Sequence, residues 1–340
     1  MKLLIVNFAM DPMDPVLGFA VPWAEAIANH FDEAHVLTGR RSSGLALDRM
    51  GVTDVGWAPG HTPTNVARLA WKFNRVLAQF RPSVVFVHMA ASYAAVVGPI
   101  CRARSIPLVL WYEHQAISRE LRLAERWASA VVSASGSYPG TREPIVVGHG
   151  IVVGEFGPRT RRSREPWSAL TAAVHAGRAD PVKRLEVMAR EIGSVRTDSG
   201  RDYSFTQIGD QSRGGAEYIQ SWNVADWVHS LPTMSRVDLA QTLPTFDFFV
   251  HAYAGAIDKA PLEASIAGLP VLSEGAPVFR ALGGVGPAPS LSRQIERLSR
   301  MTTEEVDTMV EQQQESVNRN HSLESTAHRI AGILKAQVRS

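Results

Sequence analysis

The sequence predicts an α/β protein built as two doubly wound, Rossmann-like domains. Three observations carry this. The chain has 340 residues, about twice what one hydrophobic core usually serves. Val/Ile/Leu-rich runs alternate with helix-period stretches through both halves, the pattern of parallel sheets covered on both faces. The alternation breaks once, after residue 148, and then restarts.

In the first half, Leu3–Phe8 reads as a buried strand and Pro22–Phe31 as a helix with Trp23, Ile27 and Phe31 at four-residue spacing. Ala34–Thr38 is a strand. Thr64–Phe80 is a helix whose Val66, Leu69, Phe73, Val76, Leu77 and Phe80 share one stripe. Val84–Val87, Leu108–Trp111, Ala130–Ser133 and Ile145–Val147 read as strands, separated by helices at Tyr93–Arg104 and Ile117–Trp127. The break follows: Gly148, Gly150, Gly154, Gly157 and Pro158 lead into the basic run Arg159–Arg164, a composition that reads as a connection between domains. The expected domains are therefore 1–157 and 170–322, joined by a linker at 158–169.

The second half supplies strands at Ala172–His175, Tyr203–Ile208, Val224–Val228, Phe246–His251 and Pro270–Leu272. Helices are expected at Val182–Glu191, Gly214–Ser221, Val237–Leu243 and Pro261–Ala267. Three more close the chain, at Ser290–Met301, Thr303–Val317 and Leu323–Val338.

Composition removes several classes. Hydrophobic residues are 45% and charged residues 20% of the chain, which excludes a disordered polypeptide. Lys and Arg number 35 against 33 Asp and Glu, without the basic excess of a dedicated nucleic-acid binder. The single cysteine, Cys101, excludes a disulfide framework and a Cys-based zinc site. No run approaches the ~20 apolar residues that cross a bilayer, and the N-terminus lacks a signal-peptide pattern. A soluble protein of a reducing compartment is the expectation.

Familiar catalytic signatures are missing. No G-x-G-x-x-G follows the first strand, and Gly39–Gly44 has Walker spacing but ends in Leu45-Ala46 where Lys-Ser/Thr is required. Tyr138 occupies the nucleophile position of the segment nearest to an esterase elbow. No His pair has helical ligand spacing, so no protein-held catalytic metal is expected.

Two other segments do carry chemistry. Gly177-Arg178 and Lys183 flank the turn that follows the Ala172–His175 strand, with Pro181 expected in the first turn of the next helix. A guanidinium, an ammonium and free helix N–H groups would suit a diphosphate; taken alone, the pair also reads as surface cations of a βα loop. In the second segment, Tyr253–Val271, a glycine-bearing loop opens a helix with Pro261 in its first turn and Glu263 near its start. That carboxylate is placed to accept two ribose hydroxyls or, more simply, to complement the helix dipole.

Together these segments resemble the family 4 retaining glycosyltransferases of the GT-B fold, over nearly the whole chain. Gly177-Arg178 through Lys183 matches the family's G-R-x4-K. Glu263-Ala264-Ser265-Ile266-Ala267-Gly268-Leu269-Pro270-Val271 matches its E-A-x-A-x-G-x-P-V, except at Ile266. Val147-Gly148-His149-Gly150-Ile151 resembles the hinge motif H-G-I/V-D, with Val152 in place of the aspartate and Phe156 at the usual phenylalanine. Asp14–Phe19 and Trp111-Tyr112-Glu113-His114 are similar to N-domain loops of a bacterial subgroup. Many members carry a glutamate eight positions before the ribose glutamate; here that position is Gly255, and Gly255-Ala256-Ile257-Asp258-Lys259 resembles the G-S-L-D-K loop of a subgroup that shares the absence.

The resemblance implies two domains facing across a cleft, with the closing helix, about 323–340, returning to the first domain. It implies that Arg178 and Lys183 bind the diphosphate of a nucleotide-sugar and Glu263 its ribose. Gly18 would let the first-domain loop approach the phosphates. Gly255, Ala256 and Lys259 would line the donor, with Asp258 taking over a contact to sugar or phosphate. His114 would lie at the donor sugar and His88 nearby; for both, a partly buried strand-end histidine is the plainer alternative. The activity implied is retaining glycosyl transfer from a nucleotide-diphosphate-sugar to an unidentified hydroxyl acceptor, with no cofactor and no required metal. The alternatives are a sugar-nucleotide epimerase and a non-catalytic nucleotide-sugar-binding protein. A cytoplasmic location is a further expectation, with peripheral contact at the inner face of the membrane as an alternative reading of two features: the Arg159–Arg164 run, more simply a solvated linker, and the helix bearing Arg68, Lys72 and Arg75, whose apolar stripe is more simply core.

Overall fold

The computed structural model describes residues 1–14, 17–45, 47, 49–58, 60, 62–156, 169–210, 214–222 and 225–339. The basic run at 159–164 and nearly all of the expected linker lie outside these residues. In chain order the elements are β1 (Lys2–Met10), α1 (Ala20–Ala28), β2 (Glu33–Arg41), β3 (Met50–Asp54), α2 (Pro63–Phe80), β4 (Val84–His88), α3 (Ala91–Ala103), β5 (Leu108–Trp111), α4 (Arg119–Trp127), β6 (Ala130–Ser133) and β7 (Ile145–Val146). There follow β8 (Ala172–Ala176), α5 (Leu185–Ser199), β9 (Ser204–Ile208), α6 (Gly215–Trp222), β10 (Val228–Leu231), α7 (Arg236–Thr242), β11 (Phe248–His251), α8 (Lys259–Ile266), β12 (Val271–Ser273), α9 (Ala276–Ala281), α10 (Leu291–Arg300), α11 (Thr303–His321) and α12 (Leu323–Arg339).

The chain forms two compact units, one of Met1–Gly150 with Leu323–Ser340 and one of Ile151–Ser322. The first holds a parallel sheet in the order β3-β2-β1-β4-β5-β6-β7, the second a parallel sheet in the order β10-β9-β8-β11-β12. Side chains alternate across each strand. Leu4 and Val6 of β1 therefore enter one core with Leu69 and Phe73 of α2, while Leu3 and Ile5 enter another with Trp23 and Ile27 of α1. In the second unit Phe248 and Val250 face one side of the sheet and Phe249 the other, again into two cores. Both faces of both sheets are thus covered, as continuous apolar strands require.

Sequence order reverses in each sheet between β1 and β4 and between β8 and β11. Open parallel sheets bind ligands beyond the carboxyl ends of their strands at such points. The loops after β1, β4, β8 and β11 are where most of the candidate residues lie.

The closing helix α12 buries Ala327, Ile330 and Leu334 in the core beside Trp23 and Phe86 of the first unit. The two places where the chain passes between units run side by side: Ile151 bridges Ser322 and its N–H donates to the His321 carbonyl at 2.7 Å. The boundary falls at residue 150 rather than 157, because Ile151 and Phe156 are buried with Val174 and Leu262 of the second unit.

Four elements differ from expectation, and edge position or brevity explains three of them. β3 and β10 are edge strands, where polar residues replace the apolar run that marks a central strand. β10 begins at Val228 after a turn, whereas a strand was expected at 224–228, whose first residue lies outside those described. α9 spans only six residues between Gly275 and Gly283, too short for a periodic signal. α5 also starts later than expected. Pro181–Lys183 form a separate 3-10 turn, and Arg184 is left-handed at φ 58° before the helix begins. Pro181 therefore opens that turn, not the helix.

Candidate functional site

In the second unit, the loop leaving β8 carries the first candidates. Gly177 has a φ of 157° and Gly209, at the end of β9, a φ of 147°. The two backbones touch: a Cβ on Gly209 would stand 2.7 Å from the Gly177 carbonyl carbon. Only glycine allows this approach together with that backbone conformation. Gly209→Ala should lower the unfolding free energy by about 2–3 kcal/mol, through backbone strain and the overpacked contact; urea denaturation measures it, and a loss under about 0.5 kcal/mol would show that the loop yields freely.

Arg178 follows Gly177 and is exposed, with no hydrogen bond or ion pair to any other described residue. Asp180 caps the next turn, its Oδ1 accepting from Val182 N–H at 3.0 Å. Lys183 behaves differently from Arg178. It is 9% exposed, and its Nζ donates to both carboxylate oxygens of Asp258, at 2.8 and 2.7 Å. The Tyr253 ring lies 4.2 Å from the same ammonium, a cation–π contact. Arg184 reaches across to Glu274 at 2.9 Å and to the Ala252 carbonyl at 3.3 Å. Its side chain thus anchors the left-handed residue.

Asp258 is the N-cap residue of α8, yet its side chain makes no capping bond. It is instead shared between Lys183 and His251, whose Nε2 lies 3.3 Å from Oδ2. Burial works against its charge, but His251 and Lys183 outweigh burial and hold the carboxyl well below the usual range. His251 is fixed in turn by Ser273 Oγ, 3.0 Å from Nδ1. Gly255 packs on Tyr253, where a Cβ would come within 2.6 Å of the phenol carbon. A glutamate could not occupy that position without moving the ring. Ala256 is buried beside it.

α8 begins at Lys259, so Glu263 lies one turn inside the helix rather than at its start. It is 4% exposed and pairs with Arg236 of α7 at 3.0 Å. Arg236 Nε also donates to Glu155 at 2.9 Å. A buried carboxylate with a dedicated guanidinium is not a mere dipole complement. The ammonium of Lys259 belongs to the same group: burial pushes it down to about 7, Glu263 and Glu155 oppose the shift and Arg236 adds to it.

The three remaining candidates lie in the first unit. Gly18 precedes α1 in a tight turn, where a Cβ would stand 2.7 Å from the Asp14 carbonyl oxygen and 2.8 Å from that of Pro12. The turn itself therefore demands glycine. His88 ends β4 and is 3% exposed; its ring stacks on Trp23 at 4.5 Å and meets Trp111 edge-on at 5.0 Å. His114 is exposed on the loop after β5, edge-on to Tyr112 at 5.7 Å. Glu113, beside it, turns inward and accepts from Ser133 Oγ, Ala134 N–H and Ser135 Oγ at 2.6, 2.7 and 2.9 Å.

The structure thus unites Lys183 with Asp258, and Lys259 with Glu263, in the second unit. It adds His251, Arg236 and Glu155, which no motif singled out, and gives a role to Tyr253, which only marked the start of the second segment. His251 carried a weak signal as the polar end of a buried strand. Arg236 and Glu155 carried none, since 81 residues separate them.

No protein-family profile matches the chain, and no curated protein matches it in sequence. Solved structures do match in fold. A glycosyltransferase from Rickettsia africae superposes with a TM-score of 0.72 at 12% identity, covering 100% of this chain and 99% of its own. Anabaena HepE, crystallised with UDP and glucose, gives 0.70 at 15% identity, covering 99% and 100%. UDP-GlcNAc 2-epimerase from Methanocaldococcus jannaschii gives 0.60 at 13% identity, again covering 99% and 100%. Two parallel-sheet Rossmann-like domains of this kind are the architecture of the GT-B glycosyltransferases among these neighbours.

Proposed function

We propose that the protein is a nucleotide-sugar-dependent glycosyltransferase that retains anomeric configuration, with its donor site at the carboxyl ends of β8 and β11. The observation that supports this is that Arg178 and Lys183 follow β8 and buried Glu263 follows β11, the two strands between which strand order reverses, on a GT-B fold. Arg178, exposed and without a protein partner among the described residues, takes the outer phosphate. Lys183 takes the inner one and exchanges part of its contact with Asp258. Charge developing on the leaving diphosphate is met by these two cations, which need no reorganisation at the moment of transfer. Glu263, oriented by Arg236, accepts the ribose hydroxyls. Gly255, Ala256 and Lys259 line the donor, and His114 contacts the donor sugar. Gly18 shapes the first-unit loop toward the phosphates, while His88 backs that unit's ligand face as a stacked ring.

The acceptor is a hydroxyl compound, and no metal is required. Asp258, held ionised and engaged by Lys183 and His251, is a poor base, which favours transfer over the proton shuttling of an epimerase; the fold likeness to a 2-epimerase keeps that as the second reading. No described helix is long and apolar enough to cross a membrane, and contact with the inner face of a membrane is part of the proposal. A thermal-shift panel of UDP-, GDP-, ADP- and TDP-sugars tests the donor site. A ligand at about 100-fold over its Kd stabilises by about 2.7 kcal/mol, so one base should give a clear shift that Glu263→Ala removes. No shift with any donor sinks the assignment. Product analysis then distinguishes a new glycoside from an epimerised donor and from an unchanged one.

A further inference from the structure

We propose that the second unit carries a separate binding cavity for an anionic amphiphile with a single alkyl chain. A cavity of about 580 Å3 opens beside β12 among α9, α10 and α11, within the size range of small-molecule sites. It opens to the surface, and its lining is more apolar than polar. Leu272, Leu282, Leu298 and Met309 line it, and a leucine- and methionine-rich wall suits a flexible alkyl chain.

The strand that forms one wall rules out an added peptide strand as the occupant. β12 is a sheet edge, and sheet edges ordinarily offer free backbone groups to an added strand. Here two glutamines occupy them. Gln313 accepts from Val271 N–H at 3.0 Å and donates to the Val271 carbonyl at 2.9 Å; Gln294 accepts from Ser273 N–H at 3.1 Å and donates to the Ser273 carbonyl at 3.0 Å. The wall is satisfied without water or a partner chain.

The mouth sets the charge of the ligand. Arg293 and Arg297 stand one turn apart on α10, both exposed. A second hollow, about 420 Å3, continues past them to Arg300. Its two carboxylates are already engaged: Glu296 pairs with Arg300 at 3.8 Å and Glu305 closes the capping box of α11. Arg293 and Arg297 form no ion pair among the described residues. Paired guanidinium groups above an apolar pocket match a phosphate or carboxylate head above an alkyl tail.

Calorimetric titration of the full chain with dodecyl phosphate, below its micelle concentration, provides the test. The expected result is saturable binding of one equivalent, weakened at least tenfold by Arg293→Glu with Arg297→Glu and abolished by the cavity-filling Leu282→Trp. Dodecyltrimethylammonium, with the same tail and opposite charge, should not bind. The arginine variants alter only exposed side chains, so an unchanged thermal transition keeps their result interpretable even if Leu282→Trp fails to fold. Absence of saturable binding, equal binding of the cation, or indifference to the arginine reversals overturns the proposal. So does binding only to phosphatidylglycerol–phosphatidylcholine vesicles, which would make this face a membrane contact instead. None of these outcomes depends on nucleotide-sugar binding.

Discussion

Asp258→Asn should lower the unfolding free energy by about 3 kcal/mol. The carboxylate accepts two bonds from Lys183 and faces His251, and an amide returns one oxygen and no charge. Lys183 would then remain 9% exposed with no counter-charge. Removing one partner of a buried pair costs about 3–5 kcal/mol; the low end applies because the Asp258 side chain keeps 26% of its exposure. Adding Lys183→Met should recover a large part of the loss, because both charges then leave together. Urea unfolding of the two single variants and the double variant measures this coupling. Simple additivity would mean that the pair is not a unit. The sign of the pH effect follows from the depressed carboxyl. Its contribution is full above the ordinary carboxylate pKa of about 4 and is lost as pH falls through the lower folded value.

A second, separate loss of stability is expected at higher pH, from His175. This residue is 1% exposed on β8. Its Nδ1 lies 3.0 Å from the Val250 carbonyl, which assigns the proton to Nδ1. Nε2 is buried without a partner among the described residues. Burial pushes the imidazole down to about 3, with the nearby His251 adding to the shift. A histidine that stays neutral when folded but protonates near 6.5 when unfolded gives stability that is complete above 6.5. That stability falls as pH drops toward 3, because the unfolded chain then binds the extra proton. Between pH 7 and pH 5 the loss should be roughly 2 kcal/mol. His175→Phe should remove this slope while lowering stability at pH 7. Parallel losses in the two proteins over that interval would assign the acid sensitivity elsewhere. Asp258 does not confuse the comparison, because its contribution falls away only below about pH 4.

The depressed Lys259 ammonium belongs to the proposed donor pocket and supports the same picture. Charges there are arranged against one another before any ligand arrives. Arg236 bridges Glu155 and Glu263, Lys183 bridges Asp258 and Tyr253, and Arg178 alone of the three expected ligands stands uncommitted among the described residues. On this reading the donor gains much of its binding by exchange of existing partners and part of it from a waiting cation. Exchange of that kind discriminates by geometry more than by net charge, since a charge-assisted bond is strong only when its fork fits.

Local sequence pattern records some elements of this fold in full and others only in part, for physical reasons. Central strands such as Val84–His88 and Leu108–Trp111 are buried on both faces, so every residue is apolar or nearly so and the run is legible by itself. The edge strands β3 and β10 owe their conformation to one neighbour and show only a partial pattern. Glycine positions divided in the same way. Gly177 was visible through its place in a motif, but the reason Gly209 is glycine appears only when β8 and β9 are brought together.

Periodicity and the order of apolar runs by themselves determined the α/β class, the two-fold division of the chain and the position of the loops that matter, because those properties depend on patterns a few residues long. They also placed Arg178 and Lys183 around the turn after one strand and Glu263 near the start of the helix after another. Tertiary structure alone decided what those residues face. It joined Lys183 to Asp258 across 75 positions and Arg236 to Glu263 across 27. It also put the unit boundary at residue 150 and turned His88 into an aromatic stack. Charge pairing and burial are set by which elements pack together, and no local pattern records the partner of a side chain that lies on another element.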